Sequence, residues 1–292
     1  MLARVPELPE VEALALDLRG RLTDRAIARV DIAAFSALKT FDPPLSALYG
    51  ALVEDVTRHG KFLDITASGL HLVVHLSRAG WVRWRDEVPK LPPKPSHKSP
   101  LAARVVLDDG SGLDITEAGT QKRLAIYVVR KPSDVPGIER LGPDPLAEDF
   151  TIDVLGQILA DAGRAQIKGV LRHQGTIAGI GNAYSDELLH AARMSPFKPA
   201  SSIEGEDLQV LYDAIRTVLG EAVERSRGLA AADLKGEKKS HLAVHGRTGQ
   251  PCPVCSDTVR EVSFADSSLQ YCPTCQTGGK PLADRRTSKF LK

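Results

Sequence analysis

Cys252-Pro253-Val254-Cys255 and Cys272-Pro273-Thr274-Cys275 contain all four cysteines of the chain, in the pattern C-x2-C-x16-C-x2-C. Two close pairs of thiolates make a closed tetrahedral shell, which suits structural Zn²⁺. The alternative is a pair of disulfides in a secreted protein. Tight CxxC pairs are metal geometry, and the sequence opens without a signal-peptide pattern. One structural zinc per chain and a reducing, cytoplasmic setting are therefore expected. A zinc ribbon of this size does not fold alone, and metal binding supplies its folding energy. The motif says where the chain is held rigid and leaves the chemistry to other residues.

Working outward, 292 residues suffice for two or three units of ordinary size, and 42% hydrophobic residues support a real core. No apolar run reaches the length of a membrane span, so a soluble protein is expected. The net charge of +1 is unevenly spread: residues 235–292 hold ten Lys/Arg against five Asp/Glu, and the remainder hold 28 against 32. A basic zinc module suggests a polyanion partner. A solvated basic tail fits the same charges, and charge alone does not choose between them.

Pro9, Val11, Leu14, Leu18 and Leu22 predict a helix over 9–22. The period then shortens. Segments 26–35, 52–58, 61–66, 70–76, 80–84, 102–107, 112–116 and 124–129 are rich in Val, Ile and Leu. Turn signals such as Ala67-Ser68-Gly69 separate them. That spacing predicts an antiparallel sandwich or barrel. Residues 87–100 carry five prolines with Lys90, Lys94 and Lys98 and read as an exposed loop. Pro136, Gly137, Gly142, Pro143 and Pro145 mark a domain boundary. Helices are predicted near 151–162, 166–173, 183–193 and 204–226. The fold class is α+β: a β-sandwich domain with a flanking helix over 1–137, a helical domain over 138–234, and a zinc-ribbon hairpin with a basic tail over 235–292.

The run Pro6-Glu7-Leu8-Pro9-Glu10-Val11-Glu12 resembles the start of the formamidopyrimidine-DNA glycosylase family, which includes the endonuclease VIII enzymes. Arg58-His59-Gly60-Lys61 resembles its lysine hairpin, and Leu141-Gly142-Pro143-Asp144-Pro145-Leu146 its interdomain junction. Ile167-Lys168 and Ala178-Gly179-Ile180-Gly181-Asn182 resemble its helix–two-turn–helix element, and Val244-His245-Gly246-Arg247 leads into its zinc finger. The matches fall in the family's order over residues 6–276.

The resemblance implies a catalytic set of Pro6, Glu7, Glu10 and Lys61. Pro6, as an N-terminal secondary amine, would attack C1′ of a damaged deoxynucleoside. An α-amino group has a pKa of roughly 8, so part of it is free base at neutral pH. Glu7 would handle the proton at the sugar ring oxygen, Glu10 would support the site, and Lys61 would hold a flanking phosphate. DNA contacts are expected from Lys168 and Asn182, from Arg247 and Arg260 around the finger, and from Arg78, Lys122 and Arg123 near the void left by the extruded base.

The chain departs from the family pattern at several places. Pro6 follows Met1-Leu2-Ala3-Arg4-Val5, and inside a peptide bond its nitrogen is an amide without nucleophilic character. Val5 stands where the family has its initiator Met, and GTG serves both as a valine codon and as a bacterial start. The working chain is therefore expected to start at position 5 and to expose Pro6. Ser267 stands where the family has a phosphate-gripping arginine, five residues before the third cysteine. Arg78 stands at the void-filling methionine and Leu124 at an aromatic position. The stretch Gly228 to Ala243 is short where oxidised-purine members carry a base-capping loop, and His173 replaces an acidic residue.

The resulting expectation is a monomeric, cytoplasmic, nucleoid-associated bacterial DNA repair enzyme. It would excise oxidised bases from double-stranded DNA and cleave abasic sites by β/δ-elimination through a proline Schiff base. Ser267 and the covered Pro6 favour a rival, a catalytically silent binder of damaged or abasic DNA. An RNA-binding zinc protein leaves Pro6-Glu7 unexplained.

Overall fold

The computed structural model describes residues 6–93, 99–265 and 267–284. The segment Met1–Val5, Lys94 and Lys98 of the proline-rich loop, Asp266 and the last eight residues of the basic tail lie outside the described residues. Contacts group the chain into two compact units, one of residues 4–141 with 223–236, the other of 142–222 with 237–292. By these contacts the helical and zinc segments fall in one unit.

The first unit opens with α1 (Leu8–Leu22). Eight strands follow: β1 (Ile27–Ile32), β2 (Val53–His59), β3 (Phe62–Ala67), β4 (Leu70–His75), β5 (Gly80–Arg85), β6 (Leu101–Leu107), β7 (Gly112–Glu117) and β8 (Ala125–Val129). They form two antiparallel four-stranded sheets, ordered β1-β6-β7-β5 and β2-β3-β4-β8. All eight fall where the sequence pattern predicts strands. Val56, Leu63, Leu72, Val105, Leu113 and Ile126 from these strands make one buried core with Leu14, Leu18 and Leu22 of α1. The β3–β4 link is a two-residue turn, Ser68-Gly69, with both φ positive (46° and 75°). Its twist matches that of the strands, which is why Gly serves there. A one-turn α2 (Pro136–Glu139) closes the segment.

The second unit contains α3 (Ile152–Ala162), α4 (Ile167–Arg172), α5 (Asn182–Ala191) and most of α6 (Gly205–Ser226). Thr151 caps α3 by accepting the Val154 N–H. The junction Leu141-Gly142-Pro143 is close-packed: a Cβ on Gly142 would lie 2.4 Å from the Thr176 carbonyl oxygen. Arg216 of α6 donates to the Pro145 and Ala147 carbonyls and fixes the segment that follows the junction. The zinc segment adds a hairpin, β9 (Arg260–Ser263) with β10 (Ser268–Tyr271), and a short α8 (Pro273–Thr277). Between Gly228 and Ala243, read from the sequence only as a short connection, the chain forms α7 (Leu234–His241). Its start is held in the first unit, where Trp81 Nε1 donates to the Ala231 carbonyl at 2.7 Å.

Candidate functional site

In the first unit, Pro6, Glu7 and Glu10 of the expected catalytic set lie at the start of α1. Pro6 directly precedes the cap residue Glu7. The Glu7 carboxylate accepts the Glu10 backbone N–H while the Glu10 carboxylate accepts the Glu7 N–H at 2.8 Å. This capping box satisfies two otherwise orphaned donors. Both carboxylates are 1% exposed. Lys61 lies at the tip of the β2–β3 hairpin beside Gly60 (φ 55°). Arg58 braces that tip: its Nε donates to Glu12 of α1 at 2.8 Å and its Nη1 to the Gly60 carbonyl at 3.1 Å. One helix thus carries both carboxylates and the anchor of the lysine hairpin. Burial first, and the Lys61 charge second, push the His75 imidazole down to about 4.

The turn from Leu76 to Gly80 presents Arg78 to solvent. A Cβ on Gly80 would meet the Leu76 carbonyl at 2.0 Å, and Ser77 holds φ 56°, uncommon for a residue other than glycine. Lys122 and Arg123 are exposed, and their loop is gathered on Glu117, which accepts the Arg123 and Leu124 N–H groups at 2.7 and 3.0 Å. Leu124, at the position where the family carries an aromatic residue, is 2% exposed and belongs to the sandwich core.

In the second unit, Gln174 shapes the glycine-rich turn. Its amide donates to the Arg172 and Ile180 carbonyls and accepts the Gly179 N–H. Asn182 starts α5 and donates to the Ser268 carbonyl at 2.8 Å; its Oδ1 is buried and has no partner among the described residues. Lys168, expected at a phosphate, sits under the same turn. It is 5% exposed, and its ammonium donates to the Asn182 carbonyl (3.2 Å), Ser185 Oγ (2.7 Å) and Asp186 Oδ1 (2.6 Å). These bonds brace the turn from inside. The second oxygen of Asp186 binds His245 Nδ1 at 2.7 Å and the Gln270 N–H at 3.2 Å. Glu187 accepts the N–H groups of Ala243, Val244 and His245. Burial pushes its carboxyl above the ordinary range, against those donors. His173 binds Thr176 Oγ1 at 2.9 Å within the same turn.

The sulfur atoms of Cys252, Cys255, Cys272 and Cys275 all lie within 4.8 Å of one another, with 3.9 Å between Cys252 and Cys275 and 3.3 Å between Cys255 and Cys272. None forms a disulfide. Four sulfurs about 2.3 Å from one ion would stand roughly 3.8 Å apart, so this set fits tetrahedral zinc.

Three family models match in order: the formamidopyrimidine-DNA glycosylase N-terminal domain over 5–122, its H2TH domain over 141–232, and a zinc finger found in FPG and IleRS over 249–278. A formamidopyrimidine-DNA glycosylase of Symbiobacterium thermophilum is 36% identical over 97% of this chain and 93% of its own length. The chain belongs to the formamidopyrimidine-DNA glycosylase family. MutM (Fpg) from Thermus thermophilus superposes with TM-score 0.78 at 32% identity, covering 94% of this chain and all of that one. A Lactococcus lactis FPG mutant in complex with Fapy-dG containing DNA gives 0.81 at 25% identity, over 93% of this chain and 100% of its own. An uncharacterized formamidopyrimidine-DNA glycosylase-like protein of Mycobacterium tuberculosis is 59% identical over 54% of this chain and 98% of its own length.

As a member of the formamidopyrimidine-DNA glycosylase family, the chain holds its zinc structurally: all four ligands are cysteines and no position is left for water or substrate. Around the finger, Arg260 is exposed on β9, and Arg247 donates to Gln250 and to the Leu242 carbonyl. Ser267 lies at the tip of the hairpin, where its carbonyl accepts the Phe264 N–H. Sequence reasoning passed over Gln174, Asp186, Glu187, His190 and His245, which join the turn to the zinc segment. For Asp186, Glu187 and His190 the sequence signal was their place on α5, where a buried helix has little room for unpaired polar groups; Gln174 lies before that helix, and His245 stands in the quoted run Val244-His245-Gly246-Arg247 without a role read for it.

Proposed function

We propose that the protein is a bifunctional DNA repair glycosylase. It would bind double-stranded DNA at a damaged base, excise the base and cleave the abasic site through Pro6. The observation that carries this reading is the α1 start, where Pro6, Glu7 and Glu10 are buried together with the two carboxylates locked on each other's backbone. In a form of the chain that begins at Pro6, the secondary amine lone pair forms a bond to C1′ as the C1′–base bond breaks. The base departs with the bonding pair and takes a proton from solvent; the Glu7 carboxylate accepts the proton that the attached nitrogen sheds and delivers it to the ring oxygen as the C1′–O4′ bond breaks, leaving a cationic Schiff base. Loss of a C2′ proton then expels the 3′ phosphate, and a second elimination expels the 5′ phosphate. Lys61 and Asn182 hold flanking phosphates, with Arg78, Lys122, Arg123, Arg247 and Arg260 as further contacts. The family supports the DNA partner and the glycosylase step; the lyase step rests on Pro6.

Borohydride reduction converts a Schiff base to a permanent crosslink and tests this directly. The form beginning at Pro6 should be trapped on abasic DNA, and the form retaining Met1–Val5 should bind without trapping, because an amide nitrogen has no lone pair for C1′. Trapping by the longer form that persists in Pro6→Gly would move the nucleophile elsewhere. If neither form traps and both bind abasic DNA tightly, the protein is a silent binder, the reading that Ser267 favours.

A further inference from the structure

Three residues of α5 spaced four apart lie on one stripe of the helix. Each holds a different part of the zinc segment. Asn182 bonds the Ser268 carbonyl on β10, Asp186 bonds His245 and the Gln270 N–H, and His190 Nε2 lies 3.2 Å from the Cys252 sulfur. His190 is 6% exposed and Cys252 is 1% exposed, so water does not compete for this contact. Cys252 is one of the four zinc ligands, and a zinc-bound cysteine is a thiolate. A thiolate has no proton to give. The shared proton must therefore sit on His190 Nε2, which fixes the tautomer.

We propose that His190 is a positioning residue of the zinc centre, donating its Nε2–H to the Cys252 thiolate from outside the zinc segment. Four thiolates around Zn²⁺ leave a formal charge of −2, and a donor aimed at one sulfur offsets part of it. Such outer contacts change metal retention by about 10- to 100-fold in other sites. The same bond ties the first CxxC pair to the helix whose first residue is Asn182. Loss of the bond would loosen the metal and the turn together. The inference depends on the zinc centre and not on the Pro6 chemistry, so either can fail alone.

The test uses the full chain loaded with ¹¹³Cd in place of zinc, with ¹⁵N-labelled histidine. A scalar coupling between ¹¹³Cd and the His190 Nε2–H proton, carried through Cys252 Sγ, is expected; its absence overturns the proposal. Replacement by Co²⁺ gives an optical readout that packing alone would not move. In His190→Phe, which keeps a ring of similar size, the sulfur-to-cobalt bands should move to lower energy, and transfer of zinc to a chelator should quicken by about tenfold. His190→Gln, which keeps an N–H donor, should restore both toward wild type. Bands of His190→Phe that superimpose on wild type, with unchanged zinc release, also overturn the proposal. If His190→Phe does not fold, the coupling in the wild-type chain decides.

Discussion

His75 shows how a single residue turns its surroundings into a measurable pH dependence. Its imidazole is held at about 4 by burial and by Lys61, against an ordinary value of 6.5. Below 6.5 the unfolded chain takes up a proton that the folded chain refuses until near 4. The unfolded state therefore binds more protons across that window, and stability falls as pH drops from about 6.5 to about 4. The full effect is roughly 3 kcal/mol, at about 1.4 kcal/mol per pKa unit. Urea melts of wild type and His75→Gln at several pH values check this. The wild-type slope between pH 6.5 and 4 should flatten in the variant. Equal slopes would mean that His75 does not titrate in this way.

At the scale of elements, the strands of the sandwich were legible because short runs rich in Val, Ile and Leu are broken by turns such as Ser68-Gly69, which need particular backbone angles. α7 was not, since its polar run Lys235-Gly236-Glu237-Lys238-Lys239-Ser240 has no apolar stripe. Its residues are held by tertiary contacts such as Lys238 over the Tyr184 ring. The α4–α5 pair was legible as an element, but a sequence does not show which way Lys168 points. The structure turns it inward, onto Asp186. Breaking a buried pair by removing one partner leaves the other charge uncompensated, so Lys168→Met should cost about 3–5 kcal/mol. The salt dependence of DNA binding separates this role from a phosphate contact. Lys61→Ala should lower the slope of log affinity against log salt by about one. Lys168→Met, at a temperature where it stays folded, should leave that slope unchanged. A slope lowered by one in Lys168→Met would return the lysine to the DNA.

At the scale of the whole molecule, the division into two units makes zinc removal a selective perturbation. Both tryptophans, Trp81 and Trp84, belong to the first unit, where Trp81 is fixed by the Ala231 carbonyl and Lys235 and Trp84 by Arg21 and Asp86. The four zinc ligands belong to the second unit, and their local core consists of the cysteines with Val244 and Val259. That core is too small to persist without metal, so ligation is its folding energy. The eight-stranded core contains none of these residues. Chelation of zinc, or Cys272→Ser, should therefore unfold the hairpin of β9 and β10 and release Asn182 from the Ser268 carbonyl. DNA binding should fall with it. Tryptophan emission should stay at its native wavelength, because neither indole loses its packing. Restoring zinc to the chelated wild type should restore binding without any change in emission. A red shift of the tryptophans on chelation would show that the sandwich depends on the metal. Undiminished DNA binding by the metal-free protein would show that the zinc segment does not hold the contacts assigned to it.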